Sequence, residues 1–227
     1  MPDSKIPSGF GKTSSKQWRR SESIKQFTLQ TIADFFCYLP MNFLSLPTYS
    51  KDGLLQAVIE IPAGTNQKFE YHPEQQAFLP DFREGLPRII DFLPYPVNYG
   101  FIPSTRMTVN LGGDGDPLDV LLVSETLPRG SVVDVIPIGL LKLMDTGALD
   151  HKVLAVPADT NRQIITARSW RDFTLHYGAA RQILETFFLH YDGIGTLQLL
   201  GWGDETEAID EIAKWKLPAQ VSKQTQA

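Results

Sequence analysis

The chain has 227 residues, 42% of them hydrophobic, which is enough to bury one substantial core. Its formal charge of -5 argues against a nucleic-acid partner held by counterion release. Its single cysteine, Cys37, excludes an intrachain disulfide and a cysteine-rich zinc site.

Taken in chain order, residues 1 to 26 are basic. Lys5, Lys12, Lys16, Arg19, Arg20 and Lys25 stand against Asp3 and Glu22, a net of +4, which leaves -9 on the remainder. The apolar stretch from Phe27 to Leu46 is interrupted by Gln30, Asp34, Pro40 and Asn42, which reads against a membrane span. No run of small residues forms a signal-peptidase site, and although the basic, serine-containing start has the flavour of an organellar presequence, Asp3 and Glu22 dilute it. Residues 1–48 are therefore expected to be an N-terminal extension, disordered or targeting, residues 49–218 a single domain, and residues 219–227 a polar tail. A cytoplasmic location is expected, or an organellar or exported one if the extension is a targeting segment.

From Leu54 the pattern turns to short β-type runs bounded by Pro, Gly and acidic residues. Strands are predicted over Leu55 to Ile61, Lys68 to His72, Val97 to Ile102, Leu118 to Val123, Val132 to Met144 and Lys152 to Val156. Pro137 and Gly139 predict a bend in the long fifth run, of the kind that helps a sheet curl into a barrel. Ala180, Ile183, Leu184, Phe187, Phe188 and Tyr191 then recur at helical spacing and predict an amphipathic helix over Ala179 to His190. A strand over Thr196 to Leu200 follows. Asp204, with Glu207 three residues on, opens a second helix through Ile209, Ile212 and Trp215, which Pro218 ends.

Asp114-Gly115-Asp116-Pro117-Leu118-Asp119 packs three carboxylates into six residues. Such carboxylates repel one another unless a cation sits among them, and hard oxygen ligands select Mg²⁺, Mn²⁺ or Ca²⁺. An acidic turn between strands uses the same residue types, so the motif alone leaves both readings open. A second acidic cluster, Asp145 and Asp150 with Lys152, lies at the turn after the long strand and is equally ambiguous alone. Lys68, Arg88, Lys142, Lys152, Tyr99 and Tyr191 supply the donors an oxyanion substrate needs, although each has an ordinary surface or core role available.

The ordered set of motifs resembles the soluble family I inorganic pyrophosphatases. It runs from Glu60-Ile61-Pro62-Ala63 and Lys68-Phe69-Glu70 through Tyr95-Pro96-Val97-Asn98-Tyr99-Gly100-Phe101-Ile102-Pro103 to the Asp114 to Asp119 core. It continues through Asp145, Asp150, Lys152, Val156-Pro157, Phe187-Phe188, His190-Tyr191 and Gly201-Trp202. The resemblance implies a β-rich α+β fold, a five-stranded OB-like closed barrel with two C-terminal helices packed outside. It also implies hydrolysis of inorganic diphosphate to two orthophosphates with several Mg²⁺ ions, for which Mn²⁺ can substitute. A homo-oligomer is implied as well, with no nucleic-acid or membrane partner.

By the same resemblance Asp114, Asp119 and Asp150 hold a first metal, Asp119 reaches a second, and Asp145 joins Asp150 on a metal that arrives with substrate. Glu60, acting through water, and Glu70 are outer carboxylates. Asp116 accepts the proton of the attacking water or orients it. Lys68, Arg88, Tyr99, Lys152 and Tyr191 grip diphosphate, and Lys142 supports them. The chain departs from the family pattern twice. Arg88 lies slightly closer to the Tyr99-Gly100 pair than the family's substrate-binding arginine does, which leaves Arg83 as a competing candidate. Asp192 stands after Tyr191, where the family commonly has lysine, and this supports an alternative reading as a catalytically weakened or silent diphosphate-binding protein.

Overall fold

The structure, a computed structural model, describes residues 42–193 and 195–218. Of the expected extension over residues 1–48, residues 1–41 lie outside the described residues, as does the tail from 219, whereas Phe43, Leu44 and Leu46 pack against the strands. In chain order the strands are β1 (Leu55–Ile61), β2 (Phe69–His72), β3 (Ala77–Pro80), β4 (Phe82–Arg83), β5 (Leu86–Pro87), β6 (Asn98–Phe101), β7 (Asp119–Leu122), β8 (Val132–Asp145), β9 (Ala148–Leu149), β10 (Lys152–Pro157) and β11 (Leu197–Gly203). The helices are α1 (Trp170–His176), α2 (Gly178–His190) and α3 (Glu205–Trp215).

Five strands form a ring. β1 pairs antiparallel with β6, β6 with β7, β7 parallel with β10, β10 antiparallel with β8, and β8 returns to β1. A single strand can serve β1, β10, β11 and the short β9 because β8 is 14 residues long and bends. Its first residues pair with β1, its middle with β10 and its end with β11. The bend falls where Pro137 and Gly139 predict it: the register against β10 shifts between Leu154 and Ala155, opposite those residues. Gly139 is required there, since a Cβ would lie 2.7 Å from the Trp170 ring.

Strand alternation sorts the ring's side chains onto two faces. Val120, Leu122, Val153, Ala155 and Leu140 pack with Ala208, Ile212 and Trp215 of α3. Leu121, Leu154, Val156, Leu141 and Leu143 pack with Phe173 of α1 and Leu184, Phe187 and Phe188 of α2. Each fully buried aliphatic or aromatic side chain contributes about 1.5–3 kcal/mol by removal from water. A register shift at Glu60 breaks the alternation in β1, so Ile59 joins the α3 layer and Ile61 the α2 layer.

The caps explain the helix starts. Asp204 accepts from the N–H groups of Thr206 and Glu207 at α3, as expected from the sequence, and Ser169 accepts from Asp172 N at α1. The short helix α1, the strand β3 that pairs with the expected β2, the β4–β5 hairpin and the two-residue strand β9 add to the elements expected from the sequence.

Phe43 packs edge-on to Tyr71 at 5.2 Å and beside Phe78 at 5.3 Å, and Leu44 and Leu46 join the same cluster. Phe43→Ala in the full chain should therefore cost about 2 kcal/mol and lower the unfolding midpoint by roughly 4–8 °C. Thermal unfolding followed by circular dichroism checks this, and an unchanged midpoint would show that the aromatic contact contributes nothing.

Candidate active site

The parallel pairing of β7 with β10 places Lys152 directly across from Asp119. Both side chains emerge on the face covered by α2, where Lys152 Nζ donates to Asp119 Oδ2 at 2.7 Å and to Asp150 Oδ1 at 2.7 Å. The Tyr99 hydroxyl donates to the same Asp119 oxygen. Lys152 is completely buried. Burial alone would lower its pKa, but Asp119 and Asp150 overcome that and hold it well above the ordinary lysine value, so the ammonium stays charged. Burial pushes Asp150 up to about 6 against the pull of Lys152, with the Asp119 charge adding to the rise.

Asp114 and Asp116 sit on the loop that leads into β7. The Asp114 carboxylate accepts from Asp116 N at 2.9 Å, an Asx turn, while Gly115 N donates to Met107 O and Met107 N to Asp116 O, each at 2.7 Å. Gly115 has φ 100, which favours glycine. Gly113 is packed too tightly for a side chain, since a Cβ would stand 2.4 Å from Met107 O. The loop is further tied to the second acidic cluster, because Leu149 N donates to Gly112 O at 2.7 Å beside Asp150. Burial first, then neighbouring carboxylates, raises the pKa of both Asp114 and Asp116, and Asp119 is among those neighbours in each case.

Asp145 ends β8 on the face of Leu141 and Leu143, and its Oδ1 is buried without a hydrogen-bond partner. Lys142, one residue out of phase, is not brought to this face. It donates to Glu207 of α3 at 2.7 Å on the other side of the strand, which strand alternation alone could have indicated. His151, also out of phase, places Nδ1 2.8 Å from Glu211 Oε1 and so ties α3 to the strand that carries Lys152.

A cationic and phenolic wall faces the carboxylates. Backbone pairing builds it: Lys68 N donates to Arg88 O at 2.9 Å, Asp81 N to Lys68 O at 3.0 Å and Arg88 N to Asp81 O at 2.8 Å. Lys68 pairs with Glu70 at 2.7 Å, and Arg88 with Asp81 at 3.2 Å and with Asp192. The Arg88 guanidinium stands 5.5 Å from the centre of the Tyr191 ring. Tyr95, Tyr99, Phe188 and Tyr191 pack as one aromatic group behind it. Glu60 is buried at its bulge and accepts from Tyr71 N at 2.8 Å, and burial pushes it up to about 8 despite that hydrogen bond. Arg88 is the buried arginine, its side chain 12% exposed, whereas Arg83 is 56% exposed and pairs with Asp192 at 2.6 Å.

Sequence reasoning did not single out Asp81, which holds Lys68 and Arg88, nor Arg129, whose Nε donates to Glu60 O at 2.7 Å. No local motif marks either one, because their partners lie across strand pairings.

The donor chemistry fits a hard divalent cation. The oxygens are carboxylates, the pKa values of Asp114, Asp116 and Asp150 are raised in one another's company, and an Asp145 oxygen is buried without a partner. Among the described residues no three His, Cys, Asp or Glu side chains are drawn together as a ready cage, and the Lys152 ammonium lies between Asp119 and Asp150 instead.

A family model described as inorganic pyrophosphatase matches residues 57–219. The chain is 38% identical over 186 residues to an inorganic pyrophosphatase of Neisseria meningitidis serogroup B, covering 78% of this chain and 98% of that protein. It is 36% identical over 169 residues to one of Synechocystis, covering 72% and 90%. The crystal structure of an inorganic pyrophosphatase from Thermus thermophilus is similar with a TM-score of 0.64 at 33% identity, over 76% of this chain and 95% of that one. That of one from Coxiella burnetii is similar at 0.63 and 29%, over 75% and 97%.

Proposed function

The chain belongs to the inorganic pyrophosphatase family and is a hydrolase acting on diphosphate, and from that premise we propose a Mg²⁺-dependent mechanism at the Asp119–Lys152 face. The supporting observation is the opposition, on one face of the ring, of crowded carboxylates to a wall of Lys68, Arg88 and phenols.

Asp114, Asp119 and Asp150 would hold the first ion, Asp119 would reach a second, Asp145 would take part with Asp150 in a third, and Glu60 would act through water. A divalent cation bound there offsets the charge of diphosphate and makes nearby water acidic enough to react near neutral pH. Asp116 orients the attacking water and takes its proton at the carboxylate. Lys68, Arg88 and Lys152 pair with phosphoryl oxygens, and Arg88 can do so with two parallel N–H bonds. Tyr99 and Tyr191, both held protonated by pKa values above the ordinary phenol, donate their hydroxyl hydrogens and stabilise charge developing on the leaving oxygen. Glu70 offsets the Lys68 charge at rest through their 2.7 Å ion pair.

The test is phosphate release from diphosphate. Chelation should abolish it and added Mg²⁺ restore it, with Mn²⁺ a partial substitute. Undiminished activity in excess chelator would remove the metal-dependent mechanism.

A further inference from the structure

Two arginines from different elements converge on one carboxylate oxygen at the edge of the phosphoryl-binding wall. Arg88 and Arg83 both direct Nη2 at Oδ1 of Asp192, the latter at 2.6 Å. Arg83 arrives on the β4–β5 hairpin, a two-residue turn whose central residues Glu84 and Gly85 both have positive φ, 54° and 80°. That hairpin is not held by the core, because Phe82 and Leu86 are largely exposed. It is held at its base by the Arg88–Asp81 backbone bond and at its side by the Arg83–Asp192 ion pair.

Arg88 is held from two sides, by Asp192 and by Asp81 at 3.2 Å, whereas Asp192 is the one carboxylate paired with Arg83. Arg83 is 56% exposed and has donors beyond the one that Asp192 takes. Two guanidinium groups drawn to one oxygen can accept a further anion, and a phosphoryl oxygen is the one a guanidinium fork matches best.

We propose that Arg83 is a further diphosphate-contacting residue, delivered by the β4–β5 hairpin, and that Asp192 is the positioning residue that holds it beside Arg88. This rests on the reading of the face as a diphosphate site. Arg88 and Arg83 then act together: the buried arginine is fixed, and the exposed one closes on substrate from the hairpin.

The experiment compares Arg83→Ala, Arg83→Lys, Asp192→Ala and the Arg83→Ala/Asp192→Ala double variant in the full chain. KM and kcat for diphosphate in Mg²⁺ are measured together with calorimetric affinity for imidodiphosphate, a slowly hydrolysed analogue. Arg83→Ala should raise KM and weaken imidodiphosphate binding by about tenfold, with kcat within about twofold, as expected for loss of one charge-assisted phosphate contact. Arg83→Lys should recover part of the loss. Asp192→Ala should shift affinity in the same direction, and the double variant should add less than about twofold to it. Unchanged affinity in Arg83→Ala would overturn the proposal. So would tighter binding in Asp192→Ala, which would make the carboxylate a competitor of substrate. A chain that binds imidodiphosphate but releases no phosphate would sink the hydrolytic reading alone, and the binding pattern of the variants would still decide the role of Arg83.

Discussion

Asp116→Asn should lower kcat for diphosphate by about three orders of magnitude while leaving the fold intact, the range spanned by loss of a positioned acid–base group. The structure makes this substitution unusually clean. The bonds that shape the Asp116 loop are made by its backbone: N to Asp114 Oδ1 and O from Met107 N. Asparagine keeps both bonds and nearly the same volume, and removes only the charge and the basic oxygen. The unfolding midpoint should therefore stay within about 2 °C of the parent. Initial-rate assays beside thermal unfolding check the pair of expectations. A variant that keeps more than about a tenth of the parental kcat would remove Asp116 from the proton-accepting role.

Lys152→Met should have the largest combined effect. Lys152 is fully buried and is the cation between Asp119 and Asp150, so its removal leaves two carboxylates facing each other at the protein interior. Breaking a buried pair by deleting one partner costs about 3–5 kcal/mol, because the remaining charge is desolvated without compensation. For a chain of this size that corresponds to roughly 10 °C in the midpoint. Saturating Mg²⁺ should restore part of the midpoint in Lys152→Met, since an ion bound among the same carboxylates stabilises the folded state by mass action. Activity should still fall by more than about a hundredfold, because the ion does not replace the phosphoryl contact. Differential scanning calorimetry with and without Mg²⁺ separates the two roles. An unchanged midpoint in chelator would show that the lysine does not neutralise the pair.

The strands were legible where alternation and β-branched residues mark them. β1 has the bounds read from its sequence, and Pro137 with Gly139 foretold the bend in β8. The helix caps were equally readable at Asp204. At Ser169 the same signal was present, a serine with Asp172 three residues on, and it opens the short helix α1 that the sequence reading passed over. The β4–β5 hairpin gave little local warning, because Glu84 adopts a positive φ that usually goes to glycine, asparagine or aspartate.

The site was legible as residue types and less so as geometry. That Lys152 would stand across from Asp119 follows from a parallel pairing of strands some thirty residues apart, and no local pattern encodes such a register. The bulge that buries Glu60 is likewise a property of the β1–β6 pairing rather than of its own segment. Lys142 is the opposite case. Its phase along β8 differs by one from Leu141, Leu143 and Asp145, so the period-two rule alone separates it from the acidic face. Asp192 looked like a lost cation in sequence, and in the structure it is the anchor of two arginines.

The measurement that bears most directly on the central claim is the stoichiometry and initial rate of orthophosphate release by the full-length chain supplied with diphosphate and Mg²⁺. The account predicts two orthophosphates for each diphosphate consumed, no comparable release from nucleoside triphosphates, and loss of the reaction in chelator. A folded chain that leaves diphosphate intact at saturating Mg²⁺ would contradict it.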